Sequence, residues 1–363
     1  MKVSVLIKEN PFESPAVPMK GKIQWADRKG LLTSLVSFIK RPPEKWTESL
    51  LLLGEYGSGK THSLAYAKRI CEEEKIPVSL LSNPGSSFID VLIRVVESIR
   101  LETVVSSCDH LLKRDRAIVI RQLQNSAAGI LTPEAVSTDK LLTYLFPNLD
   151  INLAMVLNQL MNERNIESCK TWLLGKREMT STELARLNLT SAIDSDDYAV
   201  KILSNVIQIL VARFGKFVLL IDELEDIGNM SRSRAISFAK AMRRFVDENI
   251  GGLKLILTFT AGAFNQYLGG TGSFMGKKYP ALTERLKPRI ELKFLTPEEA
   301  EEFISEIVSS VYTGPLEKVI TRRAVREIHK QTQGNPRDII YLCQTLFGEA
   351  IDKNKFPIIY HSD

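Results

Sequence analysis

The sequence is poor in cysteine, and the cysteines that it has lie far apart. Cys71, Cys108, Cys169 and Cys343 lack the C-x-x-C spacing of zinc sites, and the whole chain has only four histidines. Scattered single cysteines argue against a disulfide framework and against a structural zinc site. We therefore expect four buried free thiols.

Long apolar runs are also missing. No uncharged apolar stretch approaches the roughly 18 to 20 residues that cross a bilayer, and the opening residues reach Lys8 before a secretory apolar segment could form. With 44% hydrophobic and 25% charged residues, the composition is that of an ordinary globular protein. These features favour a cytoplasmic protein without a membrane partner.

A strong excess of charge is absent as well. The chain has 48 lysines and arginines against 43 aspartates and glutamates, a formal net charge of +5. A surplus this small permits a phosphate-bearing partner without requiring one.

What the sequence does have is an alternation of short apolar runs with helical stretches. The predicted strands are residues 50–53, 77–81, 217–221, 253–260 and 290–294. Strands that alternate with helices predict an α/β fold built on a parallel sheet. Apolar residues between 102 and 197 recur at helical spacing, which predicts a helical insertion.

The length of 363 residues allows roughly two domains. We predict an N-terminal arm and first helix over residues 1–48, followed by a core over 49–295 that carries the insertion at about 102–197. The sequence pattern changes from alternating strands and helices to helices alone at residue 296. A Thr-Pro-Glu-Glu sequence there, typical of a helix start, begins a small helical domain over 296–363.

The strongest motif is GEYGSGKT at residues 54–61, which matches G-x-x-x-x-G-K-[ST] in full between a predicted strand and a predicted helix. Its glycines allow successive backbone N–H groups to surround a β-phosphate at the helix N-terminus. Lys60 would reach the β- and γ-phosphates, and the Thr61 hydroxyl would ligate Mg²⁺. The alternative, a glycine-rich turn with a chance Lys-Thr, fits this context poorly. The predicted nucleotide-binding residues of the loop are Gly54, Gly57, Ser58, Gly59, Lys60, Thr61 and His62.

A second motif is the uninterrupted apolar strand 217–221, which ends in Asp222 and Glu223. Asp222 can hold the metal, and Glu223 can polarise an attacking water, which favours hydrolysis over the phosphoryl transfer of a small-molecule kinase. The alternative is an ordinary strand that ends in a solvated acidic pair. We expect Glu225 and Asp226 to cap or solvate the following turn.

Two threonines and two arginines complete the set. Thr258 and Thr260 lie at the end of a predicted strand, where a hydroxyl could orient the attacking water, although threonine is also common in strands for its β-propensity alone. Arg285 precedes the last predicted strand, and Arg337 follows Gly-Asn-Pro at the start of a predicted helix. Arginines in such places can stabilise charge on a transferring phosphate, but a solvated surface charge is the alternative for each.

In this order, the motifs resemble those of AAA+ ATPases. The resemblance is greatest to the origin-recognition and cell-division-cycle initiator branch and to the related phage-exclusion and transposon target-selector ATPases. It covers about residues 11–352, apart from the insertion, and it implies a P-loop NTPase sheet with a small C-terminal helical lid domain, ATP and Mg²⁺ as cofactors, and ATP hydrolysis.

The resemblance also implies a role for each site residue. It makes Lys60 and Thr61 the Walker A residues, Asp222 and Glu223 the Walker B pair, Thr260 sensor 1 with Thr258 as the alternative, Arg285 an arginine finger supplied to a neighbouring subunit, and Arg337 sensor 2. Arg28 lies where the family often has Gly-Arg-Glu, but the Gly and Glu are missing here. Residues 171–175, Thr-Trp-Leu-Leu-Gly, are similar to a pattern of the phage-exclusion ATPases, and helix packing explains them equally well.

The partners follow from the same resemblance. It implies a homo-oligomer, a ring or a filament. Basic residues that could contact double-stranded DNA are Arg232, Arg234, Lys240, Arg243, Arg244, Lys277, Lys278, Arg285, Lys287 and Arg289. A solvated helix face balanced by Asp247 and Glu248 is the alternative. Only eleven residues follow Asp352, which leaves no room for the winged helix of the origin initiators, so sequence-specific origin binding is not expected.

Two functions therefore compete. The first is an ATP-dependent AAA+ switch that oligomerises with ATP and acts on or around DNA, in replication, transposition or phage defence. The second is a signal-transducing ATPase that regulates a protein partner through the insertion, without DNA. They differ in whether DNA changes ATP turnover. A scaffold that needs no nucleotide would require inactive motifs, and none of the motifs is inactive.

Overall fold

The computed structural model describes residues 7–12, 30–126, 137–175, 179–267 and 280–360. Their centre is a five-stranded parallel sheet. The strands are β1 (Glu48–Gly54), β2 (Val78–Leu81), β3 (Phe217–Ile221), β4 (Leu253–Phe259) and β5 (Arg289–Leu292), in the order β2-β3-β4-β1-β5. The predicted α/β fold with a parallel sheet is confirmed.

Helices cover the sheet and extend beyond it. The first ten are α1 (Leu31–Lys40), α2 (Lys60–Glu73), α3 (Phe88–Ile99), α4 (Leu101–Ser126), α5 (Thr138–Leu145), α6 (Ile151–Met161), α7 (Ile166–Leu174), α8 (Ser181–Arg186), α9 (Asp196–Phe214) and α10 (Arg232–Asp247). The remainder are α11 (Ala261–Tyr267), α12 (Pro280–Arg285), α13 (Pro297–Ser309), α14 (Arg322–Thr332) and α15 (Pro336–Asp352). A 3₁₀ turn, Leu224–Asn229, follows β3 directly.

The strands form because their side chains are apolar on both faces, as expected for a sheet covered by helices on both sides. All five residues of β3 and all seven of β4 are buried. Successive side chains point to opposite faces: Leu50 and Leu52 pack with α1 and α2, whereas Leu51 packs in the cluster that includes α3, α9 and α10.

The described part of the segment predicted as an insertion is helical, from α4 to α8. Its packing against α9 centres on the buried Asp150, whose carboxylate accepts hydrogen bonds from the Tyr198 hydroxyl at 2.9 Å and from Lys201 Nζ at 2.8 Å. Trp172 is 1% exposed and donates from Nε1 to the Ser191 carbonyl at 2.8 Å. This tryptophan therefore has a packing role, which agrees with helix packing as the explanation of residues 171–175.

The C-terminal helices α13, α14 and α15 build a second core of their own. Two residues from the other end of the chain, Ile7 and Phe12, belong to it, and the Phe12 and Phe347 rings lie 4.9 Å apart. Sequence periodicity gave no sign of this contact, because the two aromatics are more than 300 positions apart. Arg28 lies outside the described residues.

The four cysteines are free and buried, as predicted. No helix among the described residues has the length and apolarity that crossing a membrane requires.

A buried ion pair ties the amino ends of β1 and β4 together. Lys254 is fully buried, and its Nζ lies 2.9 Å from Glu48 Oε2 and 2.8 Å from the Phe38 carbonyl. Arg41 also bonds Glu48. Burial alone would raise the pKa of Glu48, but Lys254 and Arg41 outweigh burial and hold that pKa below its usual value. The pair therefore depends on both charges being present.

We expect Glu48→Gln to lower the free energy of unfolding by about 3 kcal/mol or more, because it leaves the Lys254 ammonium buried without a counter-charge. Chemical denaturation at pH 7 measures the loss. The double variant Glu48→Leu with Lys254→Met should recover most of it, since matched apolar replacements remove both charges. Because the pKa of Glu48 is lowered, the pair's contribution is present above pH 4.5 and declines as the pH falls through the folded-state pKa. A Glu48→Gln loss below 1 kcal/mol would contradict this account.

Candidate functional site

The loop between β1 and α2 has the backbone that phosphate binding requires. Gly57 and Gly59 have φ values of +81° and +95°, in the left-handed region that favours glycine. A β-carbon at Gly54 would lie 2.4 Å from Ser58 Oγ, and one at Gly57 would lie 2.4 Å from Asn335 Oδ1. Glycine is therefore required at positions 54, 57 and 59, by the backbone conformation or by nearby atoms that leave no room for a β-carbon. The strand, loop and helix follow one another in the predicted order.

Lys60 lies in the first turn of α2 with its side chain against the loop. Its Nζ donates to the Gly54 carbonyl at 2.9 Å and to the Glu55 carbonyl at 3.2 Å. Burial lowers the pKa of Lys60, and the carboxylates of Glu225 and Asp222 oppose that shift. Lysine and acidic residues therefore face one another across the site.

The loop also has an orphaned polar atom. Ser58 Oγ is buried and has no hydrogen-bond partner, a state that native structures avoid unless a ligand, ion or water completes it. Thr61 and His62 follow Lys60 in the first turn of α2. A loop of backbone amides at a helix N-terminus, with a spare hydroxyl and a buried lysine, fits a phosphate group.

The parallel sheet brings Asp222 to the same edge as this loop. β4 lies between β1 and β3, with Leu52 paired to Thr258 on one side and Ile221 paired to Leu257 on the other. Asp222 is 3% exposed, and its Oδ1 accepts a hydrogen bond from the Thr258 hydroxyl. The same hydroxyl accepts from the Glu223 amide at 3.2 Å. Thr258 thereby bonds the carboxylate of Asp222 and the backbone of Glu223.

Glu223 has an unusual backbone conformation, with φ +52° and ψ +41° at the junction of β3 and the 3₁₀ turn. A non-glycine residue in the left-handed region carries strain, and such residues cluster at functional sites. Burial raises the pKa of Glu223, and the charges of Asp222 and Asp226 raise it further. Its carboxylate is therefore a better proton acceptor than an isolated glutamate.

The structure differs from the sequence expectation for Glu225, which was expected to cap or solvate the turn. Its Oε2 atom is buried without a partner, and burial raises its pKa, although the backbone amides of Glu225 and Thr260 oppose the shift. Of the charges that act on Lys60, Glu225 has the largest effect. Asp226 does take the expected role, since it bonds the side chains of Asn83 and Asn229.

Thr258, in β4, and Thr260, just after it, have different partners. The Thr258 hydroxyl contacts Asp222, whereas the Thr260 hydroxyl accepts from the Ala263 amide at 3.3 Å and begins α11. Sequence alone could not choose between them, because both precede the same helix. The geometry brings the side chain of Thr258, and only the backbone of Thr260, to the acidic cluster.

The two predicted arginines lie at different ends of the sheet. Arg285, at the end of α12, pairs with Asp247, and its carbonyl accepts from Ser49 Oγ at 2.8 Å at the start of β1. It therefore lies away from the phosphate loop of its own chain. Arg337, in the first turn of α15, has its guanidinium carbon 4.3 Å from the ring centroid of Tyr56 in the loop.

The basic residues suggested for DNA contact are in part neutralised within the chain. Arg243 pairs with Asp247 at 3.4 Å and Arg244 with Asp197 at 3.0 Å. The described members of the set that are exposed are Arg232, Arg234, Lys240, Arg243, Arg244, Lys287 and Arg289. Lys277 and Lys278 lie outside the described residues.

Several solved structures resemble the chain, and three of them are as follows. No protein-family model and no curated protein sequence matches the chain. A Walker-type ATPase of Pyrococcus abyssi is 13% identical, with a TM-score of 0.47, over 94% of this chain and 74% of that one. The ORC2 protein of Aeropyrum pernix, in ADPNP–ADP complexes, is 11% identical, with a TM-score of 0.48, over 98% and 69%. The ORC1 protein of the same organism, in complex with DNA, is 11% identical, with a TM-score of 0.47, over 99% and 68%.

At this level of identity, the residues of the chain itself have to carry the functional assignment.

We expect Glu225→Gln to raise stability at pH 7. The pKa of Glu225 is raised in the folded state, so its ionised form favours unfolding, and the neutral amide removes that cost. The advantage should shrink as the pH falls through the raised pKa, because the wild-type carboxyl then becomes neutral too. Denaturant unfolding at pH 7 and at pH 4.5 tests both points. Glu163→Gln, at an exposed position, is the matched control and should change stability little at either pH. Equal changes in stability from the two variants would contradict a raised pKa of Glu225 in the folded state.

Proposed function

We propose that the chain is a Mg²⁺-dependent ATPase of the AAA+ type, a molecular switch that oligomerises with ATP and acts on or around DNA. One observation carries the ATPase part. The parallel register of β1, β4 and β3 places the glycine loop with Lys60 and the Asp222–Glu223 pair at one edge of the sheet, with Thr258 bonded to both acidic residues.

The loop amides and the N-terminus of α2 bind the β- and γ-phosphates, and Lys60 neutralises their charge. Gly54, Gly57, Ser58, Gly59 and His62 shape this cradle. Thr61 and Asp222 would hold Mg²⁺ together with phosphate oxygens, the hard oxygen ligands that this ion prefers. The bound Mg²⁺ would neutralise charge that develops on the phosphate oxygens.

Glu223 supplies the proton acceptor. It polarises a water whose oxygen attacks the γ-phosphorus, while the bond from that phosphorus to the β–γ bridging oxygen breaks and ADP leaves. Its raised pKa suits this role, because proton transfer is most efficient when the pKa of the base approaches the working pH. We assign the sensor-1 position to the Thr258–Thr260 pair, and Thr258 acts by orienting Asp222.

Arg285 acts between subunits in this proposal. It lies at the opposite end of β1 from the phosphate loop, so it can reach a nucleotide only in a neighbouring subunit, as an arginine finger does. Arg337 acts within the chain, where α15 meets the loop. The core, residues 49–295 with the insertion at about 102–197, then binds nucleotide, and the lid, residues 296–363, senses it.

DNA is the proposed partner because exposed cations follow Asp222 and Glu223 on α10, including Arg234 and Lys240. The second candidate is an ATPase that regulates a protein partner through residues 102–197. The ion pairs that occupy Arg243 and Arg244 favour it, because they reduce the charge available for phosphates. Salt-dependent DNA binding separates the two functions.

We expect Glu223→Gln to lower ATP turnover by about 100-fold or more while ATP still binds, because the amide cannot accept the proton of the attacking water. Turnover, nucleotide binding and mass in solution are measured with and without double-stranded DNA. Under the proposal, DNA stimulates the wild type, and the variant accumulates on DNA as an ATP-bound oligomer. Lys60→Ala is the comparison that should lose ATP binding itself. If DNA alters neither turnover nor assembly, the DNA function is wrong and the protein-partner function takes its place.

Mixing of subunits tests Arg285. We expect Arg285→Ala to reduce turnover by about 100-fold or more in a homo-oligomer. Mixed with Glu223→Gln subunits, it should regain activity, because sites form that combine Glu223 of one subunit with Arg285 of the other. Lys287→Ala removes a nearby exposed cation and should stay close to wild type. If the turnover of the mixture does not exceed that of either variant alone, the inter-subunit role of Arg285 is wrong.

A further inference from the structure

A side-chain stack joins the phosphate loop to the C-terminal helical domain. Tyr56, in the second variable position after Gly54, is 71% exposed, yet the guanidinium carbon of Arg337 lies 4.3 Å from the centroid of its ring. A guanidinium within about 6 Å of an aromatic centroid is attracted to the ring face. Tyr56 therefore contacts the lid with its side chain while its backbone belongs to the loop.

Asn335 makes a second link between the same elements. Its Nδ2 donates to the Tyr56 carbonyl at 3.2 Å, and its Oδ1 accepts from the Arg337 amide at 3.0 Å as the N-cap of α15. A β-carbon at Gly57 would lie between 2.4 and 3.0 Å from three atoms of this amide. The glycine is thus needed for the approach of Asn335 as well as for its own positive φ.

The start of α15 is itself fixed. Gly334 has φ +77°, and a β-carbon there would lie 2.1 Å from the Leu295 carbonyl. The Gly334 carbonyl accepts from the Leu295 amide at 2.8 Å, where the lid begins. Pro336 then occupies the first helical position, where its fixed φ favours the helix. Arg337 is therefore held by its backbone on the lid side and by Tyr56 on the loop side.

The electrostatics place Arg337 close to the lysine of the loop. Its positive charge contributes to the lowered pKa of Lys60, although burial is the main cause. Two cations that repel each other in this way both gain when a polyphosphate binds between them. The stack on Tyr56 keeps Arg337 at the loop in spite of this repulsion.

We propose that Tyr56 and Asn335 are positioning residues that hold Arg337 at the phosphate loop in the absence of nucleotide, so that the lid discriminates a nucleoside triphosphate from a diphosphate. The inference rests on the proposed ATP binding. A guanidinium that is already in place loses little conformational freedom when the γ-phosphate arrives, so the contact strengthens triphosphate binding selectively. ADP lacks the γ-phosphate and gains little from it.

The first test needs no nucleotide. Hydrogen–deuterium exchange of the full chain reports on the amides of the loop and of the first turn of α15. Tyr56→Leu and Asn335→Ser should each increase exchange in both segments, since leucine removes the aromatic face and serine keeps the cap but shortens the reach to Tyr56. Tyr56→Phe keeps the face and should match the wild type. Unchanged exchange in Tyr56→Leu and Asn335→Ser would overturn the proposal, whatever the protein does with ATP.

The second test measures affinity for ADP and for a non-hydrolysable ATP analogue. Tyr56→Leu should reduce the ATP-to-ADP affinity ratio about fivefold to tenfold, whereas Tyr56→Phe should keep it within about twofold. In an Arg337→Ala background, Tyr56→Leu should have no further effect on the ratio, because the two residues act as one unit.

Three outcomes of the affinity test overturn the positioning role: equal weakening of both nucleotides by Tyr56→Leu, a gain in ATP affinity, or an undiminished effect of Tyr56→Leu when Arg337 is absent. Failure of the proposed function has a different signature. In that case the wild type binds neither nucleotide and Lys60→Ala changes nothing, while the exchange test still decides whether Tyr56 and Asn335 hold the lid.

Discussion

The site depends on the register of three parallel strands. Leu52 of β1 pairs with Thr258 of β4, and the Ile221–Leu257 pair between β3 and β4 puts Asp222 beside that threonine. A shift of one residue would turn the Thr258 hydroxyl to the other face of the sheet. Because β1 and β3 are not neighbours, β4 connects the strand before the glycine loop to the strand before the acidic pair. The buried Lys254–Glu48 ion pair joins β1 to β4 at the opposite end, so one strand is tied to its neighbour at both ends.

Charge is concentrated at the carboxyl edge of this sheet. Asp222, Glu223, Glu225 and Asp226 lie within five consecutive residues, and burial, together with repulsion between neighbouring carboxylates, raises the pKa of Glu223 and of Glu225. Asp222 is buried and bonded to the Thr258 hydroxyl, whereas Glu223 after it has a left-handed backbone conformation. Neighbouring carboxylates thus receive different environments, the condition that lets one hold a metal and another accept a proton.

The sequence predicted the order of strands and helices closely, because each β-strand is a short apolar run and each phosphate-loop residue belongs to a contiguous motif. It could not predict the partners of single side chains. Glu225 was expected to cap or solvate the turn after β3, but that turn directs it toward Lys60, and only the folded sheet defines that direction. The choice between Thr258 and Thr260 depended on the β3–β4 register, which periodicity does not encode. Ile7 and Phe12 join the lid core over a separation in sequence that no local pattern records.

At the contact between α15 and the phosphate loop, the sequence motif and the folded structure explain different constraints on the same residue. A motif read along the chain explains Gly57 by the conformation of the loop, whereas the structure adds the amide of Asn335, which fills the space that a β-carbon would need. The loop is therefore complementary both to a phosphate and to the lid. Tyr56 contributes its backbone to the loop and its ring to Arg337, so any displacement of the loop would also disturb the contact with α15. Two contacts therefore join the loop to α15, the stack of Arg337 on Tyr56 and the hydrogen bond from Asn335 to the Tyr56 carbonyl.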